Sequence, residues 1–110
     1  MNITERTEKG VTIFVLEGRI DTDGAVDMDL ALESAVAAGK HKMVLDMAGA
    51  RYISSAGLRT LADVLTRNRE AGGDLKLVAM NPKIMRVFQI IGFDKFFSIY
   101  DTLADAIKAF

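Results

Sequence analysis

The chain has 110 residues, half of them hydrophobic, with 14 Lys and Arg against 15 Asp and Glu and no cysteine. This length fits one domain over residues 1–110, and the near-neutral charge lacks the basic excess that nucleic acid binding requires. Without cysteine there is no disulfide or thiolate metal site, and without a signal core or a run of ~20 apolar residues we expect a cytoplasmic protein that does not insert into membranes.

The first third of the chain predicts a hairpin followed by a helix. Residues 3–8 and 11–16 are β-rich, and the Lys-Gly pair between them suits a two-residue antiparallel turn. The second strand is expected to end within residues 18–22. The next segment has apolar residues at helical spacing, and either Asp21 or Thr22 can accept a hydrogen bond from its first-turn amides. Gly39 supplies a left-handed stop at the end of this helix.

The middle of the chain predicts a strand, a helix and a second strand. Residues 43–47 are apolar at consecutive positions instead of alternating, which is expected of a strand covered on both faces. This strand should therefore be central. A helix then begins at a pair of serines, shows one apolar face and ends at residues 71–73, which include two glycines. Residues 75–80 form the next short strand.

The last third predicts two helices with one strand between them. Asn81, followed by proline, opens a helix that Gly92 closes. Residues 96–100 form the last strand, and Asp101 is expected to cap a terminal helix. The fold class is therefore α/β, a mixed, mostly parallel sheet in the order β-β-α-β-α-β-α-β-α that is flanked by helices. Only the first two strands are expected to be antiparallel.

In such a sheet, every loop that leads from a strand to a helix emerges at the same edge. This is the edge where α/β proteins generally bind their ligands. We therefore expect the functional site there. The polar residues that should surround it are Asp21, Thr22, Asp46, Ser54, Ser55, Asn81 and Asp101.

The residue types at this edge do not favour catalysis. A nucleophilic serine needs a base within hydrogen-bonding distance, and His41, the only histidine, is predicted on the opposite edge. No phosphate-binding glycine loop and no paired-histidine metal spacing occurs. Asp46 stands where a two-component receiver domain holds its phosphorylated aspartate, although the other residues of a receiver's Mg²⁺ site are poorly matched. We expect no enzyme, metal or cofactor, and a receiver or an enzyme using Asp46 is the competing hypothesis.

The pair Ser54-Ser55 has two interpretations. One serine is enough to cap the helix, which is worth ~1 kcal/mol. The second hydroxyl is not needed for capping, and Gly57 destabilises the first turn relative to alanine while leaving room for another protein's backbone. A phosphate here adds about −1.5 to −2 charges, which the helix N-terminus tolerates and a partner fitted to a neutral hydroxyl does not. Asp21 or Asp46, if near, would add repulsion.

Four segments, in this order and spacing, carry a resemblance to a known family. They are Leu-Glu-Gly-Arg-Ile-Asp at 16–21, Val-Leu-Asp-Met at 44–47, Tyr-Ile-Ser-Ser-Ala-Gly-Leu at 52–58, and the stretch from Asn-Pro to Ile-Gly-Phe at 81–93. Over nearly its whole length the chain resembles STAS domain proteins, specifically the small stand-alone bacterial anti-sigma factor antagonists. The resemblance implies a small sheet flanked by helices.

The resemblance also implies a phosphoprotein that acts in transcription regulation. Aligned on Gly57 and Leu58, the phosphoacceptor position of the family falls on Ser55. The unmodified protein would bind an anti-sigma factor serine kinase and free a sigma factor. Phosphorylation would release the kinase, and a serine phosphatase would reset this partner-switching cycle of signal transduction. The expected partner-binding residues are Asp21, Thr22, Ser54, Gly57, Leu58 and Arg59.

The serine turn departs from the family pattern at two positions. Many members have Asp-Ser-Ser/Thr-Gly-Leu, whereas this chain has Ser54 at the aspartate position and Ala56 at the position of the second hydroxyl. Ser54 is therefore an alternative acceptor. The resemblance also leaves open a STAS interaction module that is not phosphorylated, such as a cytoplasmic subunit of a lipid or anion transport system.

Overall fold

The chain folds into five strands and four helices that alternate after an initial hairpin. The computed structural model describes all 110 residues. The elements are β1 (Asn2–Glu8), β2 (Val11–Ile20), α1 (Thr22–Ala37), β3 (Lys42–Ile53), α2 (Ser55–Glu70), β4 (Asp74–Val78), α3 (Pro82–Ile91), one 3₁₀ turn (Phe93–Lys95), β5 (Ser98–Tyr100) and α4 (Leu103–Lys108). The strands form one sheet in the order β1-β2-β3-β4-β5. β1 is antiparallel to β2 and the other neighbours are parallel, so the predicted order is confirmed.

The hairpin between β1 and β2 closes at Lys9 and Gly10. Both residues have a positive φ, 51° and 77°, and the register pairs Glu8 with Val11. A two-residue turn with two positive φ values matches the right-handed twist of the flanking strands. The Lys-Gly turn predicted from the sequence is therefore confirmed.

The sheet buries apolar side chains on both of its faces. Helices α1, α2 and α3 cover one face, where they share a core cluster with Met43 and Leu45 of β3. Helix α4 covers part of the other face, where Val44 and Ala106 belong to a second cluster. Met43, Val44 and Leu45 are consecutive in β3 and are all fully buried. This confirms the central position of the strand that their apolar character predicted. None of the helices combines the length and the apolar character that crossing a membrane requires.

β3 extends farther than its sequence pattern indicated, whereas β2 ends within residues 18–22, as predicted. β2 continues to Ile20 and β3 to Ile53, and the two strand ends pair with each other in parallel. The register between them shifts twice, and Gly18 at one of these shifts has a φ of 110°. Bulges of this kind interrupt the alternation of apolar and polar residues along a strand. The sequence pattern therefore did not show where β3 ends.

The C-terminal elements begin later than predicted. β5 begins at Ser98, because Phe93–Lys95 form a 3₁₀ turn before it. Helix α4 is capped by Thr102, whose hydroxyl accepts a hydrogen bond from the N–H of Asp105 at 3.2 Å. The prediction that Asp101 caps this helix is therefore wrong. A hydroxyl one residue farther along meets the same need for an acceptor at the helix start.

Candidate functional site

Two helix N-termini lie side by side at the edge where β2 and β3 end. Ile20 and Ile53 are register partners in these strands, and the residue after each of them caps a helix. The Asp21 carboxylate accepts a hydrogen bond from the N–H of Gly24 at 2.8 Å. Ser54 joins the two helix starts, because its own N–H donates to the Ile20 carbonyl at 2.7 Å. α1 and α2 therefore begin at neighbouring points of one edge.

The two adjacent serines have different roles. Ser54 is the N-cap of α2; it is half-buried, and its hydroxyl accepts a hydrogen bond from the N–H of Gly57 at 3.2 Å. Ser55 is the first residue of the helix and is exposed to solvent. The two interpretations of this turn, a helix cap and a hydroxyl open to modification, therefore fall on different serines.

The first turn of α2 is a favourable environment for an anion. It contains no acidic residue, and the free N–H groups at a helix start carry a positive partial charge. The neighbouring start of α1 supplies the carboxylates of Asp21 and Asp23. Both of these residues are exposed, so solvent and salt screen their repulsion of an anion on Ser55.

Gly57 is the third residue of α2 and lies on the buried side of its first turn. A Cβ at this position would lie 2.8 Å from Cγ2 of Ile20 and 2.9 Å from Cγ1 of Ile53. Glycine therefore allows α2 to begin in direct contact with the ends of β2 and β3. The sequence predicted that Gly57 contacts a partner, but this residue is buried. Ile20 and Ile53 of the same chain fill the space that a side chain at this position would occupy.

The other residues of the predicted partner surface differ in exposure. Asp21, Thr22 and Arg59 are exposed, whereas Leu58 is half-buried and packs against the main core. We refer to Asp21, Thr22, Ser55 and Arg59 as the exposed rim. These four residues come from two neighbouring helix starts, and their side chains are open to a second protein.

A groove of about 450 Å³ between α1 and α2 opens beside the exposed rim. Val26 and Leu30 lie one helical turn apart on its α1 side and are 56% and 66% exposed. The sequence analysis missed this groove, because both residues lie outside the buried stripe of α1 and their i, i+4 spacing was the only signal. The lining residues are Thr22, Ala25, Val26, Asp29, Leu30, Ala56, Arg59, Thr60 and Asp63.

Asp46 does not belong to this edge. It lies within β3, in register with Val15 and Val78, and at ~3.3 Å per residue it is roughly 20 Å from the end of that strand. Its carboxylate accepts a hydrogen bond from the N–H of Ala48 at 3.0 Å. The expectation that Asp46 lies at this edge is therefore wrong, because β3 extends beyond it, and Asp46 is out of range to repel a phosphate on the serine turn.

Two further polar residues serve the fold. Asn81 Oδ1 accepts a hydrogen bond from the N–H of Ile84 at 2.9 Å, and its Nδ2 donates to the Ala50 carbonyl at 2.7 Å, which joins α3 to β3. His41 lies at the opposite edge as predicted, but it is half-buried, and its Nδ1 is 3.2 Å from Oδ1 of Asn68. Asn68 is fully buried and was missed; its place in the apolar stripe of α2 was the available signal.

Comparison with known proteins assigns this fold to a family. The STAS domain family matches residues 2–106. The chain is 33% identical to a protein of Bordetella bronchiseptica named as a putative anti-sigma factor antagonist, BtrV, over 100% of this chain and 95% of that protein. It is 28% identical to the anti-sigma-F factor antagonist RsfB of Mycobacterium tuberculosis, over 97% of this chain and 87% of RsfB.

A solved structure agrees with the sequence relatives. The crystal structure of an anti-sigma factor antagonist from Mycobacterium paratuberculosis matches with a TM-score of 0.89 and 29% identity, covering 98% of this chain and 92% of that one. The class defined by the sheet order and the helix arrangement is therefore the STAS fold, as predicted. The chain belongs to the STAS domain family, and its relatives in sequence and structure are anti-sigma factor antagonists.

Proposed function

We propose that this protein is an anti-sigma factor antagonist that works by partner switching in the bacterial cytoplasm. In its unmodified form it binds an anti-sigma factor serine kinase, which frees a sigma factor. Phosphorylation of Ser55 by that kinase releases the antagonist, and a serine phosphatase restores the unmodified form. The protein acts by binding and is a substrate of these enzymes rather than an enzyme itself. The observation that carries the proposal is the exposure of Ser55 beside the half-buried capping serine, Ser54.

The position of Ser55 explains how a phosphate changes binding without unfolding the protein. A phosphate adds about −1.5 to −2 charges, and the first turn of α2 has no acidic residue to oppose it. The positive end of the helix stabilises the added charge within this chain. A partner surface that fits a neutral hydroxyl would instead have to desolvate a dianion, so the affinity falls while the fold is retained.

Ser54 is a poorer acceptor than Ser55. A kinase would have to reach a half-buried hydroxyl that is hydrogen-bonded to the N–H of Gly57. To attack ATP, this oxygen would have to give up the hydrogen bond from the Gly57 N–H, and such an N-cap is usually worth ~1 kcal/mol. The remaining exposed rim, Asp21, Thr22 and Arg59, supplies polar contacts for the kinase on either side of Ser55.

The proposal is tested by phosphorylation with a candidate anti-sigma kinase and ATP, followed by mapping of the phosphate by mass spectrometry. We expect one phosphate on Ser55 in the wild type and in Ser54→Ala, and none in Ser55→Ala. Circular dichroism spectra of both variants should match the wild type, which separates loss of the acceptor from loss of the fold. Modification of Ser54 alone, or no modification of either serine by a kinase that binds the protein, would contradict the proposal.

A further inference from the structure

Arg59 lies on the same side of α2 as Ser55, one helical turn after it. Ser55 is the first residue of the helix, and residues four apart on a helix are neighbours on its surface. The Cα–Cβ bonds of a helix tilt towards its N-terminus, so a long side chain covers the turn that precedes its own Cα. A side chain as long as that of Arg59 can therefore reach the turn that contains Ser55, and both residues are exposed.

Arg59 forms no ion pair in the unmodified protein. Asp63 lies one turn farther along α2, but it contacts Arg67 at 3.2 Å, and Arg67 also pairs with Glu33. On a helix, an acid four residues before a base forms a more stabilising pair than an acid four residues after it. The residue four positions before Arg59 is Ser55. The guanidinium of Arg59 thus has no ion pair within the unmodified chain and is available to an anion on Ser55.

Arg19, another arginine near this edge, is engaged elsewhere. Arg19 stacks on the ring of Tyr52, 4.4 Å from the ring centroid. Its strand neighbour Ile20 belongs to the core beneath α1 and α2, and because side chains alternate along a strand, Arg19 lies on the opposite face of the sheet. Arg59, one helical turn after Ser55 on α2, is an arginine placed to meet a phosphate at the start of this helix.

We propose that Arg59 is the intramolecular partner of a phosphate on Ser55, which rests on the proposed function in taking Ser55 as the phosphorylated residue. The pairing holds the phosphate against the helix and draws the guanidinium from the mouth of the α1–α2 groove. The charges that remain in the groove are then those of Asp29 and Asp63. Phosphorylation thus changes the surface twice, by adding an anion at the exposed rim and by removing a cation from the groove.

The geometry also distinguishes between the two serines. Ser54 precedes the helix with extended backbone angles, φ −82° and ψ 167°, and is five residues before Arg59. It therefore lacks the i, i+4 relation that brings Ser55 and Arg59 to one face. Only a phosphate on Ser55 combines the positive helix end with a guanidinium one turn away.

The test uses the full chain with phosphoserine placed at residue 55 during translation, so that neither the kinase nor the anti-sigma partner is needed. The second pKa of a phosphoserine is ordinarily about 6 and is followed by ³¹P NMR as the pH is varied. The charged groups on the adjacent parts of the two helices are Arg59 and Asp63 on α2 and Asp21, Asp23 and Asp29 on α1. All except Arg59 are unchanged in the variants compared.

We expect Arg59→Gln to raise the phosphate pKa by about 0.3 of a pH unit, the size that corresponds to an exposed i, i+4 charge pair. Arg86→Gln, which removes the same charge from an exposed position on α3, should leave it unchanged, and Arg59→Lys should retain most of the wild-type value. Equal values in the Arg59→Gln and Arg86→Gln proteins would overturn the inference. Because the phosphoserine is inserted by the ribosome, this result is independent of whether a kinase modifies Ser55.

Discussion

The two ends of α2 are built in opposite ways. At its C-terminal end, the fully buried Asn68 donates from Nδ2 to the Asp74 carbonyl at 3.4 Å, and its Oδ1 faces His41. The Asp74 carboxylate pairs with Arg69 and with Lys76, each at 2.9 Å. Lys76 is itself nearly buried. Most polar groups at this end thus have a partner within the chain.

At the N-terminal end of α2, the polar groups have few partners within the chain. One hydrogen bond from the Gly57 N–H to the Ser54 hydroxyl caps the helix, Ser55 is exposed, and Arg59 has no ion pair. Groups whose partners are internal stabilise the fold, whereas groups without internal partners are available to another molecule. One helix therefore has an anchored end and an end that can interact, and each can be changed separately.

The largest expected effect is on the anchored end. Asp74→Ala should lower the free energy of unfolding by about 3 kcal/mol, because it leaves the nearly buried Lys76 without its carboxylate. Denaturant unfolding measures this loss. Asp27→Ala removes an exposed acid from α1 and is the control, with an expected change within about 0.5 kcal/mol. Similar losses in the two variants would show that the end of α2 is not anchored by this pair.

The next effect is on binding at the interacting end. Ser55→Asp should weaken binding of the anti-sigma partner by about 5- to 150-fold, the typical range of such couplings, while the unfolding free energy stays nearly constant. Titration calorimetry measures the affinity. Ser34→Asp places the same charge at an exposed site near the far end of α1 and should bind like the wild type. Unchanged affinity in Ser55→Asp would favour the alternative of a STAS module that is not regulated by phosphorylation.

A smaller effect is the difference in unfolding free energy between Ser54→Ala and Ser55→Ala. Ser54→Ala should cost ~1 kcal/mol of unfolding free energy, because the Gly57 N–H loses its capping acceptor. Ser55→Ala should remain within about 0.5 kcal/mol, because its hydroxyl is exposed and the cap is made by its neighbour. Thermal or urea unfolding of both variants gives the comparison. The reverse order would mean that Ser55 is the structural serine.

The smallest effect is a dependence on acid pH at the anchored end. Burial raises the pKa of the Asp74 carboxyl, but hydrogen bonds from Lys76, from the Leu75 N–H and from Arg69, with the charge of Lys76, hold it below its ordinary value of 3.8. A lowered pKa in the folded state gives stability that is complete above the unfolded value and is lost as the pH falls through the folded one. The stability difference between wild type and Asp74→Asn should therefore shrink as unfolding is measured at successively lower pH below 3.8. A constant difference would contradict this pairing.

The sequence predicted those parts of the fold that local chemistry controls. The turn at Lys9 and Gly10, the cap at Asn81 and the left-handed stop at Gly92 each depend on a few adjacent residues, and all are confirmed. The consecutive apolar residues of β3 predicted its central position in the same way. The family pattern added the serine turn, because its residues are contiguous in the chain.

The tertiary structure decided where residues meet that are distant in sequence. Only the pairing of Ile20 with Ile53 shows that Gly57 is required by the chain's own packing, and only the bulged extension of β3 removes Asp46 from the serine turn. The sequence by itself determined the order of elements, the family and the presence of a serine pair at a helix start, since these follow from neighbours along the chain. The division of that pair into a capping Ser54 and an exposed Ser55, and the groove beside them, depend on how α1 and α2 pack on one sheet, which no local pattern records.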